Sequence, residues 1–267
     1  MAAPDHTWKT AITRVQPNDI RLRGYRIDEL MGRVSFAQAI YLTLTGALPS
    51  LAVSRLIDAM LVASIDHGVT PPSALAARTA ASTGAPLNAA IAAGVLSINR
   101  HHGGAVEGCM RLIEQVVAAA GEGTRSLTQA SADLVTGYRA AGERLPGFGH
   151  RIHTADPRTA RLFALAEEAG VAGDGVAVIH ALEQAIAQAT GRALPVNVDG
   201  AIAALLVDLD VPPELGNAFF IMARVPGLIA HVYEEWTRER PLRRIDPVNH
   251  EYDGPEPAQL GPEESEP

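Results

Sequence analysis

Punctuation is the feature of this 267-residue chain that most narrows its fold. Runs of Ala, Leu, Ile and Val are repeatedly opened by Ser or Pro and closed by Gly. Ser35 precedes the apolar-rich run Phe36 to Leu44, and Gly46 closes it. Ser50 opens a second run to about Ile65, which Asp66-His67-Gly68 breaks before Pro71-Pro72-Ser73 begins a third. Pro86 suits a first helical position and leads an apolar run to about Asn99. Gly103-Gly104 interrupts ahead of Val106 to Ala120, and Leu127 to Ala141 has amphipathic spacing. Pro157 opens a helix to about Ala169, Val176 to Ala189 reads as another, and Pro213 opens a stretch ending near Arg224. Leu228 to Arg238 continues after Pro226. No alternating β-branched run supports a strand. The pattern predicts an all-α protein.

Composition agrees. Residues are 47% hydrophobic but only 4% aromatic, so Ala, Leu, Val and Ile must build the core, which favours helix. The length suffices for one domain, or for one large and one small domain. Helices such as Asn88 to Asn99 are apolar nearly all round, as expected in the middle of a bundle or at an oligomer interface, so a dimer or larger assembly is expected. A net charge of −8 argues against nonspecific nucleic-acid binding. Cys109 is the only cysteine, which rules out an intrachain disulfide and fits a reducing, cytoplasmic setting. The start MAAPDHTWKT lacks the basic flank and apolar run of a signal peptide, and no stretch reaches the roughly 18 uncharged apolar residues of a membrane span. The tail from Asp253 is Pro/Glu-rich and reads as disordered or loosely draped.

Histidines and arginines gather at the helix breaks. Gly147-Phe148-Gly149-His150-Arg151, followed by Asp156-Pro157-Arg158, sets an imidazole beside guanidiniums suited to gripping a carboxylate. It is not a phosphate loop, because no Lys-Ser/Thr follows and no strand precedes. His67, His101-His102, Asp199 and Arg224 stand at other breaks. Each has an ordinary reading taken singly: a histidine as a cap, Asp199 as a helix N-cap, Arg224 as an interface ion pair. Burial of Asp199 in its apolar setting would instead raise its pKa and make it a usable proton acceptor. His101 and His102 lack further ligands at zinc-site spacing, so no metal is expected.

In order, Asp66-His67, His102-Gly103-Gly104-Ala105, Gly147-Phe148-Gly149-His150-Arg151, Asp156-Pro157-Arg158, Asn197-Val198-Asp199 and Ala223-Arg224 resemble the citrate synthase superfamily. Arg23-Gly24-Tyr25, Ser35-Phe36, Tyr41-Leu42 and Gly46-Ala47-Leu48-Pro49 are similar to its opening segment, and Arg78-Thr79, Ser82, Gly84-Ala85 and Ala92-Ala93-Gly94 also fit. The resemblance runs from about residue 20 to about 245. It implies a large and a small helical domain in an intimate homodimer. The expected layout is an extension over 1–19, a catalytic unit over 20–252 with the small domain inserted at roughly 110–205, and a tail over 253–267.

The resemblance also implies chemistry. The superfamily joins acetyl-CoA to oxaloacetate, or splits citryl-CoA into the same pair, with the CoA thioester as substrate and no permanently bound cofactor. It implies that Asp199 moves the methyl proton, His102 polarises the thioester carbonyl, and His150 handles the oxaloacetate carbonyl or the citryl hydroxyl. His67, Arg158 and Arg224 would bind the oxo acid. Gly147, Phe148, Gly149, Arg151 and Asn197 would meet CoA, with Gly103 and Gly149 letting the backbone approach the ligands closely. The arginine supplied by the partner subunit is matched best by Arg240, ahead of Pro241, with Arg243 or Arg244 as alternatives.

Three departures bear on the branch. Val106-Glu107 stands where the family has Asn-Glu, the segment from His231 is short, and the chain is much shorter than a full synthase ahead of His67. Length and the run Asp66 to Ser73 resemble the small lyase branch, similar to the lyase module of ATP-citrate lyase. His102 weighs the other way: the resemblance implies no histidine at that position in the module, and this chain retains one, as a synthase does. The implied activity is cleavage of citryl-CoA. Citrate or 2-methylcitrate synthesis is the alternative, and a non-catalytic CoA-binding dimer is the alternative of another class.

Overall fold

The computed structural model describes residues 8–121, 123, 125–149 and 156–242. His150, Arg151, Arg243, Arg244 and the tail from Asp253 lie outside the described residues, so the expectations that fall on them stay as expectations.

The chain starts with a feature the pattern did not predict. Thr13–Gln16 (β1), Asp19–Leu22 (β2) and Tyr25–Arg26 (β3) form an antiparallel sheet in that order, with Thr13 opposite Leu22 and Leu22 opposite Tyr25. Arg23-Gly24 joins β2 to β3 with φ of 49° and 92°, the two positive values of a type I′ hairpin turn. These strands are too short, and β1 too exposed, for an alternating pattern to show in the sequence.

Every regular element after the sheet among the described residues is helical. The helices are Ile27–Leu30 (α1), Phe36–Thr45 (α2), Leu51–Ala63 (α3), Pro72–Ser82 (α4), Leu87–Leu96 (α5), Ala105–Gly121 (α6), Leu127–Ala140 (α7), Pro157–Ala169 (α8), Asp174–Thr190 (α9), Val198–Asp208 (α10) and Gly216–Arg238 (α11). Their ends follow the punctuation. Ser35 accepts from the Gln38 N–H while the Gln38 side chain accepts from the Ser35 N–H, closing a capping box, and Gly46 ends α2 in the left-handed region. Ser50 caps α3 by accepting from the Val53 N–H, and Pro157 opens α8 as expected, with Asp156 as its N-cap. Pro86 sits one place before α5 as its N-cap.

Two elements differ from expectation. α11 runs unbroken through Pro226. Proline removes one backbone donor there, but Phe219, Phe220, Leu228 and Val232 are buried on both sides of it, so packing holds the helix together. No range for α10 follows from the sequence pattern, although Asp199 offers itself as a helix N-cap. Only three of its eleven residues escape full burial, so it has no polar face to generate a period.

α10 runs through the main core, packed on α6 and α9, with Met110, Ile113, Ile179, Leu182, Ile202, Leu205 and Leu206 almost wholly enclosed. A smaller cluster of Ala77, Ala81, Ala90, Leu228 and Val232 joins α4, α5 and α11. By length and composition Pro213–Arg238 could cross a membrane, but its buried face, carrying Arg224 and Glu235, packs on α3, α4, α5 and α6, so it reads as a core helix. α5 buries only Ala90 and Gly94, leaving Leu87 and Leu96 in solvent.

Candidate active site

The site is built where α3 ends, α4 and α8 begin, α10 begins and α11 passes. Asn197 caps α10, accepting from the Gly200 N–H at 3.1 Å, so Asp199 is a first-turn residue rather than the cap. The Asn197 side-chain amide also donates to Gly149 O at 3.0 Å. Two backbone bonds, Gly149 N–H to Pro195 O at 2.8 Å and Asn197 N–H to Gly147 O at 3.0 Å, strap the Gly147–Gly149 loop to the start of α10. The approach is so close that a Cβ on Gly200 would strike Gly147 O, and one on Gly147 would lie 2.6 Å from Cys109 Sγ. Gly147 and Gly200 therefore serve contact between chain segments, and Phe148 is buried in the core. Cys109 lies below, its thiol pushed up by burial and by the Asp199 charge.

Asp199 carries the electrostatic tension of the site. Desolvation pushes its carboxyl up, the Arg158 and Arg224 guanidiniums pull it down, and Asp156 adds a further push; the balance lies above the ordinary carboxylate value. Asp156 grips Arg158 with both oxygens, Nε to Oδ1 at 2.9 Å and Nη2 to Oδ2 at 2.7 Å. The third Arg158 contact, Nη1 to Ala63 O at 3.1 Å, reaches the end of α3. Arg224 donates from Nε to the next carbonyl, Ser64 O, at 3.1 Å. Two guanidiniums thus cap consecutive carbonyls at the negative end of α3 and stand side by side. Each retains N–H groups beyond these bonds, out of five on a guanidinium.

His102 is the second centre. Asn99 and His102 exchange backbone bonds of 2.8 Å, tightening the loop into a hairpin. Gly103 follows at φ +75°, with Ile98 and Phe220 only 2.6 Å from where a Cβ would stand. Its missing side chain makes room for Ile98 and Phe220. His102 Nε2 lies 2.8 Å from the Oγ of buried Ser73. The ring stands edge-on to Phe220 at 5.7 Å, and Phe220 also lies 4.7 Å beneath the Arg224 guanidinium. Burial, then Arg224 and His67, hold the His102 pKa below the usual imidazole value, so the ring is neutral at pH 7.

The charges that act on one another give the site's membership. Asp199 feels Arg158, Arg224 and Asp156; Arg224 feels Asp66, Asp199 and Arg158; His102 feels Arg224 and His67. Asp199, His102, His67, Arg158 and Arg224, singled out from distant stretches of sequence, are therefore electrostatic neighbours. Asn197 and the Gly147–Gly149 loop adjoin them. Arg240 does not join the group in this subunit. It lines a separate hollow of about 370 Å³ with Trp236, Glu239 and Pro241, beside the buried Arg78–Glu235 ion pair. A larger hollow of about 500 Å³, behind the His102 loop, is lined by Gly103, Gly104, Glu107, Arg111 and Asn217, and Glu107 bonds to both Arg111 and Asn217 along its wall. No group of three His, Cys, Asp or Glu among the described residues could hold a metal ion.

The sequence reading missed three supports. Ser73 and Phe220 touch His102 from 29 and 118 positions away, with no local signal. Asp156 was noted beside Arg158 but not as its clamp.

Residues 49–245 match the family model described as "Citrate synthase, C-terminal domain". The "Structure of citryl-CoA lyase from Hydrogenobacter thermophilus" superposes with a TM-score of 0.87 at 44% identity, covering 95% of this chain and 97% of that one. A protein named "Putative citrate synthase 2" from Mycobacterium bovis is 33% identical over 184 residues, 67% of this chain and 47% of that one. An ATP citrate lyase from Methanothrix soehngenii, solved with citrate and coenzyme A, shares the fold at 22% identity and a TM-score of 0.80, covering 96% of this chain and 43% of that one. The chain thus spans about half the length of the curated relatives it matches and nearly all of one solved structure.

Proposed function

The chain belongs to the citrate synthase family, and on that premise we propose that it is a citryl-CoA lyase, cleaving citryl-CoA to acetyl-CoA and oxaloacetate. The observation that carries the reading is the meeting of a desolvated carboxyl, Asp199, with a neutral imidazole, His102, and two guanidiniums, Arg158 and Arg224. The near end-to-end likeness to a citryl-CoA lyase at 44% identity supports the lyase branch.

Cleavage breaks the bond between the carbinol carbon and the thioester methylene. The hydroxyl proton leaves, the oxygen becomes the oxaloacetate carbonyl, and the bond's electron pair moves into the thioester as an enolate. His102 stabilises that enolate. With its Nε2 accepting the Ser73 hydroxyl proton, the neutral ring carries its own proton on Nδ1 and donates it in a hydrogen bond to the thioester oxygen. Asp199, protonated, then delivers its proton to the carbon, giving the methyl group of acetyl-CoA. A carboxyl raised above its ordinary range holds that proton more readily than a solvated one. Arg158 and Arg224 hold the carboxylates of the oxaloacetate half, and His67 binds alongside them. We assign the hydroxyl proton to His150, following the motif. CoA enters as substrate, and no resident cofactor is required.

Run in reverse, the same groups condense acetyl-CoA with oxaloacetate, and the 33% likeness to a putative citrate synthase favours that as the second reading. The two are separated by supplying acetyl-CoA and oxaloacetate and following free thiol, which a synthase releases steadily and a lyase does not. Supplying citryl-CoA tests the primary reading: acetyl-CoA and oxaloacetate appear in equal amounts, and no consumption of citryl-CoA overturns it. A second copy of the chain covers the exposed apolar side of α5, making a homodimer in which Arg240 reaches the partner's site. The segment over roughly 110–205 moves as a small domain that closes on the substrate.

A further inference from the structure

α11 grips the segment after α3 at three successive points. Arg224, Gly227 and His231 fall on one stripe of the helix, three and four residues apart. Arg224 Nε donates to Ser64 O at 3.1 Å. Gly227 lies so close to Ile65 O that a Cβ there would collide with it. His231 Nε2 lies 2.9 Å from Asp66 Oδ1, with the histidine side chain only 12% exposed. Each step along the stripe meets the next residue of the segment, 64, 65 and 66, and the residue that follows is His67. The other Asp66 oxygen, Oδ2, accepts the Gly68 N–H at 2.9 Å, where the chain turns at φ +76°. The Asp66 carboxylate therefore straddles the backbone of His67, held by α11 on one side and by the turn on the other. On the far side of the His231 ring, Nδ1 is 3.9 Å from Glu234, which in turn is 3.6 Å from Arg78. None of the superfamily motifs recognised in the sequence includes His231.

We infer that His231 is a positioning residue for the reaction, fixing Asp66 and through it the orientation of His67 toward the bound oxo acid. This rests on the reading of His67 as a substrate ligand given above. A contact that merely ties α11 to the α3–α4 connection would affect stability alone, whereas a positioning role makes the effect of His231 depend on His67.

A double-mutant cycle separates the two. Steady-state cleavage of citryl-CoA and calorimetric binding of oxaloacetate are measured for the wild type, His231→Ala, His67→Ala and the double variant, with folding followed by circular dichroism. The expected result is that His231→Ala raises KM for citryl-CoA and the Kd for oxaloacetate about tenfold, with kcat changed less than about threefold. On the His67→Ala background the same change has less than about a twofold effect. His231→Gln, which restores a donor to Asp66, recovers most of the loss. Asp66→Asn, which keeps the size of the side chain, gives the same pattern should His231→Ala fail to fold. Equal effects of His231→Ala with and without His67, or no effect on KM and Kd, overturn the inference. A wild type that leaves citryl-CoA untouched overturns the reaction assigned above instead, and the oxaloacetate arm still decides the role of His231.

Discussion

Asp66 and Asp199 face the same guanidinium, that of Arg224, and end on opposite sides of the ordinary carboxylate value. Burial pushes both upward. For Asp66 the push is outweighed by the Gly68 N–H, the His231 hydrogen bond and charge, and the His67 N–H, and the group stays a firm anion. For Asp199 burial is deeper, and two guanidiniums bring it only part of the way back. What separates a structural carboxylate from a proton-transferring one here is the depth of burial set against the supply of hydrogen-bond donors, since both sit beside positive charge. Asp66 accepts from the side chain and backbone groups that shape its loop, whereas Asp199 stands in the first turn of an otherwise enclosed helix.

The largest consequence is kinetic. Asp199→Asn lowers turnover in either direction by about a thousandfold while leaving oxaloacetate affinity near wild type, whereas Asp66→Asn keeps most of kcat and raises KM. Rates and calorimetric affinities of both variants check this, and equal losses in kcat would erase the distinction. His102→Ala removes the enolate donor and costs about a hundredfold or more in kcat. Ser73→Ala leaves the ring in place without its partner and costs about tenfold, and comparing the two by kcat shows whether the orientation of the ring matters.

Smaller effects appear in stability. The raised pKa of Asp199 means that the folded state binds its proton more tightly than the unfolded chain, so its contribution declines as pH rises from about 4 through the folded pKa. Asp199→Asn therefore raises the thermal midpoint, by more at pH 8 than at pH 4. Asp66 has the opposite sign. Its lowered pKa gives stability that is present above the unfolded value and lost as pH falls through the folded one. Asp66→Asn accordingly lowers the midpoint at pH 8 and changes it little at pH 2. Thermal melts across this range check both signs. The smallest expected signal is from Cys109: buried and with its thiol pushed up, it does not react with a thiol reagent until the protein unfolds.

Much of this site could be read from the sequence because helix ends carry local chemistry. Ser35, Ser50 and Gly46 act where their residue types predict, and the histidines and arginines at the breaks between helices fall among one another's charges. α10 was illegible for the reason that makes Asp199 special. A helix enclosed on nearly all sides shows no periodicity, and the same enclosure desolvates the carboxyl in its first turn. α5 is the opposite case: its apolar composition predicted a place inside a bundle or at an oligomer interface, and Leu87 and Leu96 stand exposed in the single subunit, which sets aside the first. Contacts across long separations, such as Ser73 with His102 and Asp66 with His231, leave no trace in spacing, because each residue alone has an ordinary role.

The contrast between the two carboxyls can be measured directly. With aspartate labelled by ¹³C at the carboxyl carbon, and the Asp66 and Asp199 resonances assigned from their loss in the two asparagine variants, a pH titration reads both groups in the folded protein. The account predicts that Asp199 titrates above 3.8 and Asp66 below it. An Asp199 carboxyl that titrates at or below the Asp66 value would contradict it.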